Sequence, residues 1–186
     1  MKPLILLTGI ILTFISCDRK IDNPNSFKTF DFSYNDVFST CFSIKFTHSD
    51  TAYIKQHFAS AFYDTPKSNA TYFAILSIKD RYTLDSFINN LDFTKLYASY
   101  HENYQDGVDY EFYIEKDTIK KIIYRHSSGI RDNLDTFGLW IVEMKTKLKL
   151  SEIDTTITFE STKFFLPPKV SLSPINFEPP KLKNRH

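Results

Sequence analysis

Apolar residues occupy every second position over several stretches of this chain, as at Phe30 and Phe32. This period is typical of β-strands, whose successive side chains point to opposite faces of a sheet. Short polar turns at 49–50 and 116–117 separate neighbouring stretches and predict two hairpins. Residues 72–79 are almost continuously apolar, which predicts a central strand. The predicted strands cover residues 29–34, 41–47, 51–58, 72–79, 110–115 and 118–126, with a further strand within 154–165.

Other stretches have the spacing of an amphipathic helix. Residues 84–91 repeat apolar side chains at intervals of three and four, with Asp80 or Thr83 as the predicted N-cap. The spacing continues over 93–104, so this region is either a second helical stretch or an irregular connection. A longer helix is predicted over 132–148. Its apolar stripe comprises Leu134, Phe137, Ile141, Met144 and Leu148.

The predicted elements follow one another in the order β-β-β-β-α-β-β-α-(β). Consecutive hairpins favour antiparallel pairing, and both helices must then cover one face of the sheet. The sequence therefore predicts an α+β fold, with an antiparallel sheet and two helices packed on one face. A single domain is expected over 29–166, preceded by a tether within 17–28 and followed by a tail at 167–186.

The N-terminus has the features of an export signal. Lys2 precedes an apolar run over 4–15, which is too short to span a bilayer as a helix. The run ends in Ser16-Cys17, and this ending resembles the lipobox of bacterial lipoproteins, in which the cysteine is acylated and becomes the new N-terminus. We therefore expect residues 1–16 to be a lipoprotein signal peptide. Acyl chains such as palmitate on Cys17 would then anchor the protein stably to a membrane.

Composition narrows the function classes. The 23 Lys and Arg residues are balanced by 22 Asp and Glu residues, which argues against a general nucleic-acid-binding protein. The 18 Phe and 11 Tyr residues, with only 4 Gly, favour strands and an aromatic core. Once Cys17 is lipidated, Cys41 is the one cysteine left and no intrachain disulfide can form. The alternating apolar neighbours of Cys41 predict a buried, inert thiol.

The C-terminal tail has a composition of its own. Five of the eight prolines lie in residues 167–186, which excludes a helix or a central strand there. An extended, polyproline-like conformation is predicted instead. The tail is therefore either an unstructured terminus or an arm that docks on a partner.

The most polar loop of the domain is predicted at 101–109 and contains four acidic or histidine side chains. Gln105 stands where a zinc-protease motif needs its second histidine, and the acidic residues lack the spacing of a calcium loop. We therefore expect a solvated loop without a metal or other cofactor. Tyrosines around the loop are suited either to stack on a sugar or protein partner or to complete the edge of the core. The predicted binding face comprises Tyr97, Tyr100, His101, Tyr104 and Asp109.

A base, two hydroxyls and a turn glycine are adjacent at 125–129. They lack the Gly-x-Ser-x-Gly frame of a nucleophile elbow, so no catalytic residue is assigned. A small hydrolase would instead require His101, His126 or Asp109 to converge in one pocket. The glycines of the chain are isolated, which excludes a glycine-rich phosphate loop.

Three short motifs look like the Asp-Ser/Thr-aliphatic acceptor sites of an O-glycosylation system found in some bacterial envelope proteins. Each lies in or beside a predicted turn, where Asp and Thr are common for conformational reasons. Modification and simple turn preference are therefore both open. The motifs begin at Asp50, Asp117 and Asp154.

The order of elements over residues 30–148 resembles an uncharacterised family of bacterial envelope lipoproteins. In that family the first strand carries a Cys-x-x-x-Cys-Pro element. This chain keeps the second cysteine as Cys41, with Val37 and Phe42 at the other two positions. The resemblance implies an envelope location and an α+β fold, and it assigns no site residues.

These features together predict a lipid-anchored bacterial envelope protein that acts as a non-enzymatic binding or interaction module. A protein or a glycan of the envelope would be its partner. Two alternatives are an immunity or inhibitor lipoprotein against a secreted toxin or protease, and a small envelope hydrolase. Residues 18–20 lack the acidic cluster typical of surface export in some lineages, so the periplasmic face of the outer membrane is favoured over the cell surface.

Overall fold

The computed structural model describes residues 27–36, 38–60, 66–103, 107–163 and 165. These residues form eight strands, two α-helices and a short 3₁₀ helix. The strands are β1 Thr29–Asp36, β2 Thr40–Phe46, β3 Thr51–Ala59, β4 Ala70–Ile75, β5 Ser99–His101, β6 Val108–Lys116, β7 Ile119–Ser127 and β8 Ser151–Ile153, and the helices are α1 Ile78–Asn90, α2 Asn133–Lys147 and the 3₁₀ helix Glu160–Thr162. The predictions of β1, β2, β3, β6, β7 and α2 are confirmed, with bounds that differ by two residues or fewer.

All eight strands belong to one sheet, in the order β5-β7-β6-β1-β2-β3-β4-β8. Neighbouring strands are antiparallel except β5 and β7, which are parallel and pair His101 with His126. The α+β class is confirmed, whereas the expectation of a purely antiparallel sheet is wrong, and the predicted order β-β-β-β-α-β-β-α-(β) lacks the strand β5. The β6–β7 hairpin places β7 between β5 and β6. β7 runs antiparallel to β6, and β5 pairs with the other edge of β7 in the same direction as β7.

The connection from α1 to β5 decides between the two alternatives for residues 93–104 in favour of an irregular connection. Leu91 leaves the helical region at φ −87° and ψ 122°. Asp92 Oδ1 then accepts a hydrogen bond from Thr94 N at 3.1 Å, and Phe93 is buried. A helical stretch over 93–104 is therefore wrong for the part that the structure describes, because a local turn and the extended strand β5 replace it.

The apolar run at 72–79 is divided between β4 and α1. Ser77 ends the extended segment because its hydroxyl accepts a hydrogen bond from Asp80 N at 3.1 Å and caps the helix. The N-cap is thus Ser77, and neither Asp80 nor Thr83. The expectation of a central strand is also wrong, since β4 is separated from the sheet edge by β8 alone.

Stacked aromatic rings form the core between the sheet and the helices. The Phe137 ring of α2 lies 5.3 Å from that of Phe30 and 5.8 Å from that of Phe112. It also stacks on Phe87 of α1 at 4.8 Å, so both helices share this core. Gly138 of α2 also lies against this core, where an added Cβ would contact Phe112 Cζ at 3.4 Å.

The opposite face of the sheet is polar and is covered by the described residues of 154–165, hereafter the strap. Glu160 N donates a hydrogen bond to Asp31 Oδ2 at 2.7 Å. Ser161 Oγ lies 2.8 Å from Ser33 Oγ, and all these β1 side chains are buried. A strand within 154–165 is therefore wrong, because this segment crosses the face of the sheet instead of extending β8.

Phe27, the first described residue, is packed in the core, with its ring 5.9 Å from that of Phe30 and 5.2 Å from the Arg81 guanidinium. The predicted signal peptide, Cys17 and the tail at 167–186 lie outside the described residues. None of the helices in the described part of the chain combines the length and the apolar character needed to cross a membrane.

Candidate functional site

A groove opens at the end of the sheet where β1 and β7 finish and where β6 and α2 begin. Its volume is about 310 Å³. Three large apolar side chains of the groove are exposed to solvent: Phe38 by 75%, Ile130 by 62% and Leu139 by 40%. Clusters of exposed apolar side chains are typical of binding surfaces. The groove is lined further by Tyr34, Asp36, Val108, Tyr110, Ser127 and Asp135.

Phe38 is held outside the core by its own turn. Asp36 Oδ1 accepts a hydrogen bond from Phe38 N at 3.1 Å, and Asp36 Oδ2 accepts one from Ser39 Oγ at 2.7 Å. Such aspartate-anchored turns satisfy their backbone locally. Asp36 therefore holds Phe38 and Ser39 through both carboxylate oxygens while the aromatic ring stays exposed.

Ile130 is positioned by the start of α2. Asp132 is the N-cap, and its Oδ1 accepts hydrogen bonds from Leu134 N at 2.9 Å and from Asp135 N at 3.1 Å. The backbone of Asp132 is extended, so the preceding residues leave the helix. Ile130 consequently lies beside the groove and does not join the apolar stripe under α2.

A buried ion pair lies beneath the groove, whose lining includes its Asp135. Arg125 Nη2 donates to Asp135 Oδ2 at 2.6 Å, and Arg125 Nη1 donates to Asp132 Oδ2 at 2.9 Å. The Tyr110 hydroxyl donates to Asp135 Oδ1 at 3.0 Å, and burial raises the pKa of that phenol well above its usual value. These contacts join β6, β7 and α2 beneath the exposed apolar side chains of the groove.

The sheet divides the predicted binding face. Tyr97 and Tyr100 lie on the side of Arg125, whose guanidinium is 5.0 Å from the Tyr100 ring. The two tyrosine rings contact each other at 5.8 Å, and Tyr97 N donates to the Tyr100 hydroxyl at 3.0 Å. Tyr97 is exposed and Tyr100 half-buried. His101 follows Tyr100 on β5 and therefore points to the opposite face. Tyr104 lies outside the described residues.

The strand register brings His101, His126 and Asp109 side by side on β5, β7 and β6. The rings of the two histidines are 5.3 Å apart. His126 Nδ1 lies 2.7 Å from Asp109 Oδ1, which also accepts a hydrogen bond from the Tyr124 hydroxyl at 2.7 Å. Burial and this contact raise the pKa of Tyr124. Two residues of the predicted face, His101 and Asp109, are thus joined through His126.

The hydroxyls near this row are engaged elsewhere. Ser127 Oγ donates to Gly129 O at 2.7 Å, and Ser128 Oγ donates to Glu102 Oε2 at 3.0 Å. Because neighbouring strand residues alternate, Ser127 faces the groove while His126 faces the other side of the sheet. This alternation places the Ser127 hydroxyl and the His126 ring on opposite faces of the sheet.

The places of Phe38 and Leu139 in the lining of the groove are not predicted from the sequence. An aromatic residue between the turn formers Asp36 and Ser39 is a signal that could have been used, since turns rarely bury large rings. On α2 the corresponding signal is Leu139 itself, a large apolar residue outside the predicted apolar stripe.

The structure also gives the surroundings of other residues that the sequence analysis singles out. Cys41 is buried as predicted, and burial raises the pKa of its thiol to about 12. Among the threonines of the Asp-Thr motifs, Thr118 and Thr155 are exposed, whereas Thr51 is half-buried. Within the described ranges, no group of three or more His, Cys, Asp or Glu side chains is arranged to hold a metal ion.

Comparison with known proteins gives no information on the function of the groove. No family model, no curated protein and no solved structure matches this chain. The groove and the N-terminal sequence are therefore the features of this chain that bear on its function.

Proposed function

We propose that this chain is a lipid-anchored bacterial envelope protein whose groove binds a partner protein. The observation that carries the proposal is the cluster of Phe38, Ile130 and Leu139, three large apolar side chains exposed around one groove. Exposed apolar groups of this size are costly to keep in water and become favourable when a partner covers them. Central apolar anchors surrounded by polar groups are the usual source of interface affinity.

The groove also limits the chemistry of the partner. A volume of about 310 Å³ suits an aromatic or branched aliphatic side chain as the anchor. The Asp135 carboxylate is already paired with Arg125, whereas Asp36 lies in the lining beside Phe38. A lysine or arginine next to the apolar anchor of the partner would complement Asp36.

The N-terminal sequence supports the location. A lipid on Cys17 and a polar segment before Phe27 would hold the domain close to a membrane with the groove accessible. The periplasmic face of the outer membrane fits residues 18–20. A partner in that compartment would be an envelope protein, with an envelope glycan stacked on Tyr97 as the alternative.

An immunity or inhibitor role is a specific form of this proposal. It would use the same groove to cap one secreted toxin or protease. The hydrolase alternative has one observation in its favour, the row of His101, His126 and Asp109. The separation of Ser127 from this row makes hydrolysis the less favoured proposal.

Affinity capture with matched variants tests the proposal. The tagged full chain is expressed in its own bacterium, and complexes are recovered from detergent-solubilised envelopes. Phe38→Ser and Ile130→Ser remove exposed side chains and should preserve the fold, with changes in unfolding free energy within about 0.5 kcal/mol. Ile78→Ser is the matched control, because Ile78 is 72% exposed on α1 and lies outside the groove.

We expect one stoichiometric protein with the wild type and with Ile78→Ser, and its loss with both groove variants. If the recovered protein is a secreted toxin or protease, the result favours the immunity or inhibitor role. Equal recovery with all four proteins, or no recovered protein, would contradict the groove as the binding site. Retained binding in both groove variants combined with a phenotype lost in His126→Ala would favour the hydrolase.

A further inference from the structure

A second cavity, of about 700 Å³, lies where α2 ends above β2 and β4. Its walls are mainly apolar and include Phe42, Tyr72 and Val142. The cavity has a size typical of small-molecule sites. It contains one basic side chain among the described residues, Lys145.

Lys145 is nearly buried, with 7% of its surface exposed. Its Nζ donates to Gln56 Oε1 at 2.7 Å and lies 4.8 Å from the centre of the Phe42 ring. Gln56 is itself held in place, since its Nε2 donates to Thr40 Oγ1 at 2.8 Å and to Cys41 O at 3.2 Å. The ammonium group is therefore fixed at the wall of the cavity.

This cation has no anionic partner in the described part of the chain. No ion pair there involves Lys145, although most buried charges in proteins are paired. One of its three N–H groups is used by Gln56 and the Phe42 ring covers part of the rest. Burial lowers the pKa of Lys145 to about 8, so the group is still largely protonated at neutral pH.

We propose that this cavity binds a small organic carboxylate with an apolar body, whose carboxylate lies against Lys145 Nζ and the Thr40 hydroxyl. Thr40 Oγ1 accepts from Gln56 and keeps its own proton to donate. One cation and one hydroxyl match a monoanion, whereas a phosphate dianion would require more donors. The apolar walls would cover the hydrocarbon part. This inference is independent of the partner protein proposed for the groove.

Calorimetric titration with hexanoate tests the site, using the full-length lipidated protein in nonionic detergent. Hexan-1-ol serves as the uncharged probe of equal length. Lys145→Met removes the charge and keeps an apolar stem, whereas Lys147→Met removes an exposed charge two residues away. We expect saturable one-to-one binding of hexanoate to the wild type and to Lys147→Met. Binding should weaken by about tenfold or more in Lys145→Met, the scale of one charged hydrogen bond.

A second readout does not depend on the variants. Hexanoate affinity of the wild type should fall as the pH rises from 7 to 9, because Lys145 loses its proton there. The other titratable side chain among the described lining residues is Tyr72, whose hydroxyl accepts a hydrogen bond from Lys67 N at 3.0 Å. No saturable binding, equal affinity in Lys145→Met, or hexan-1-ol binding as tight as hexanoate would each overturn the proposal.

Discussion

Arg125 and Asp135 form a buried ion pair, in which Nη2 donates to Oδ2 at 2.6 Å and both side chains are almost fully shielded from water. The pair links the end of β7 to the first turn of α2, directly under the groove. Asp135 Oδ2 also accepts a hydrogen bond from Arg131 N at 2.9 Å. The position of Ile130 relative to Phe38 therefore depends on this pair.

Replacement of Asp135 should destabilise the fold strongly. In Asp135→Asn the buried guanidinium loses its shielded counter-charge and keeps only the half-exposed Asp132. We expect the free energy of unfolding to fall by about 3 kcal/mol or more, as measured by urea denaturation.

Glu152→Gln provides the comparison for that experiment. It removes an exposed ion pair with Lys67, at 3.0 Å, in which solvent screens both charges. A change as large as that of Asp135→Asn would show that burial of the Arg125 pair is not the cause.

A methyl group at Gly107 should disturb the row of His101, His126 and Asp109. A Cβ at this position would lie 2.7 Å from His126 Cε1 and 2.9 Å from Ser127 O, both closer than normal contacts. We expect Gly107→Ala to lower the free energy of unfolding by about 1–3 kcal/mol, through overpacking. The His126 ring signals in an NMR spectrum should shift as well.

Gly129→Ala is the matched control, since a Cβ there meets nothing within 4 Å. Its stability should stay within about 0.5 kcal/mol of the wild type. Equal effects of the two substitutions would indicate a general glycine requirement in this region and not a steric contact with His126.

The polar face under the strap should make stability depend on pH. Burial raises the pKa of Asp31 from 3.8 to about 6, so the folded state binds more protons than the unfolded state between these values. Stability therefore falls as the pH rises from about 4 to about 6. Asp31→Asn should remove this contribution, which amounts to about 3 kcal/mol at most.

A second group on this face acts in the opposite direction. Burial lowers the pKa of His57 from 6.5 to about 4, so the unfolded state binds more protons between these values and stability rises with pH. The comparison of Asp31→Asn with the wild type isolates the aspartate from this effect. Asp154→Asn removes an exposed carboxylate of the strap and serves as the control. Parallel profiles of Asp31→Asn and the wild type would contradict the assignment.

The proposed lipidation of Cys17 has a direct chemical test. Metabolic labelling with an alkyne analogue of palmitate should mark the wild-type protein in envelope fractions, because a lipobox cysteine receives acyl chains. Cys17→Ala should abolish the label, whereas Cys41→Ala should retain it, since Cys41 lies buried in β2. Label that persists in Cys17→Ala would contradict the lipoprotein proposal.

The sequence predicted elements whose side chains follow one period. β1, with Phe30 and Phe32 on the core face, and α2, with Phe137 and Ile141 on its stripe, were recognised because burial on one face imposes the spacing. The run at 72–79 was misassigned, since a single cap at Ser77 changes its continuation from strand to helix. Cap preference is too weak a signal to override an apolar run.

The pairing of distant strands and the groove could not be predicted from the spacing of apolar residues. The parallel pairing of His101 with His126 depends on where the β6–β7 hairpin inserts, which no local pattern contains. The strap replaces ladder pairing by side-chain contacts, such as that of Asp31 with Glu160, separated by most of the chain. The groove arises only when the turn of Phe38 meets the start of α2, so its residues share no spacing in the sequence.

Site-specific photo-crosslinking in living cells tests directly whether the groove binds a partner protein. Benzoylphenylalanine is placed at position 38, at position 139 and, as the exposed control, at position 78 of the full-length protein. If the groove binds the partner, we expect the same protein adduct from positions 38 and 139 and no such adduct from position 78. No adduct at the two groove positions, or an equal adduct at position 78, would contradict the groove as the partner-binding site.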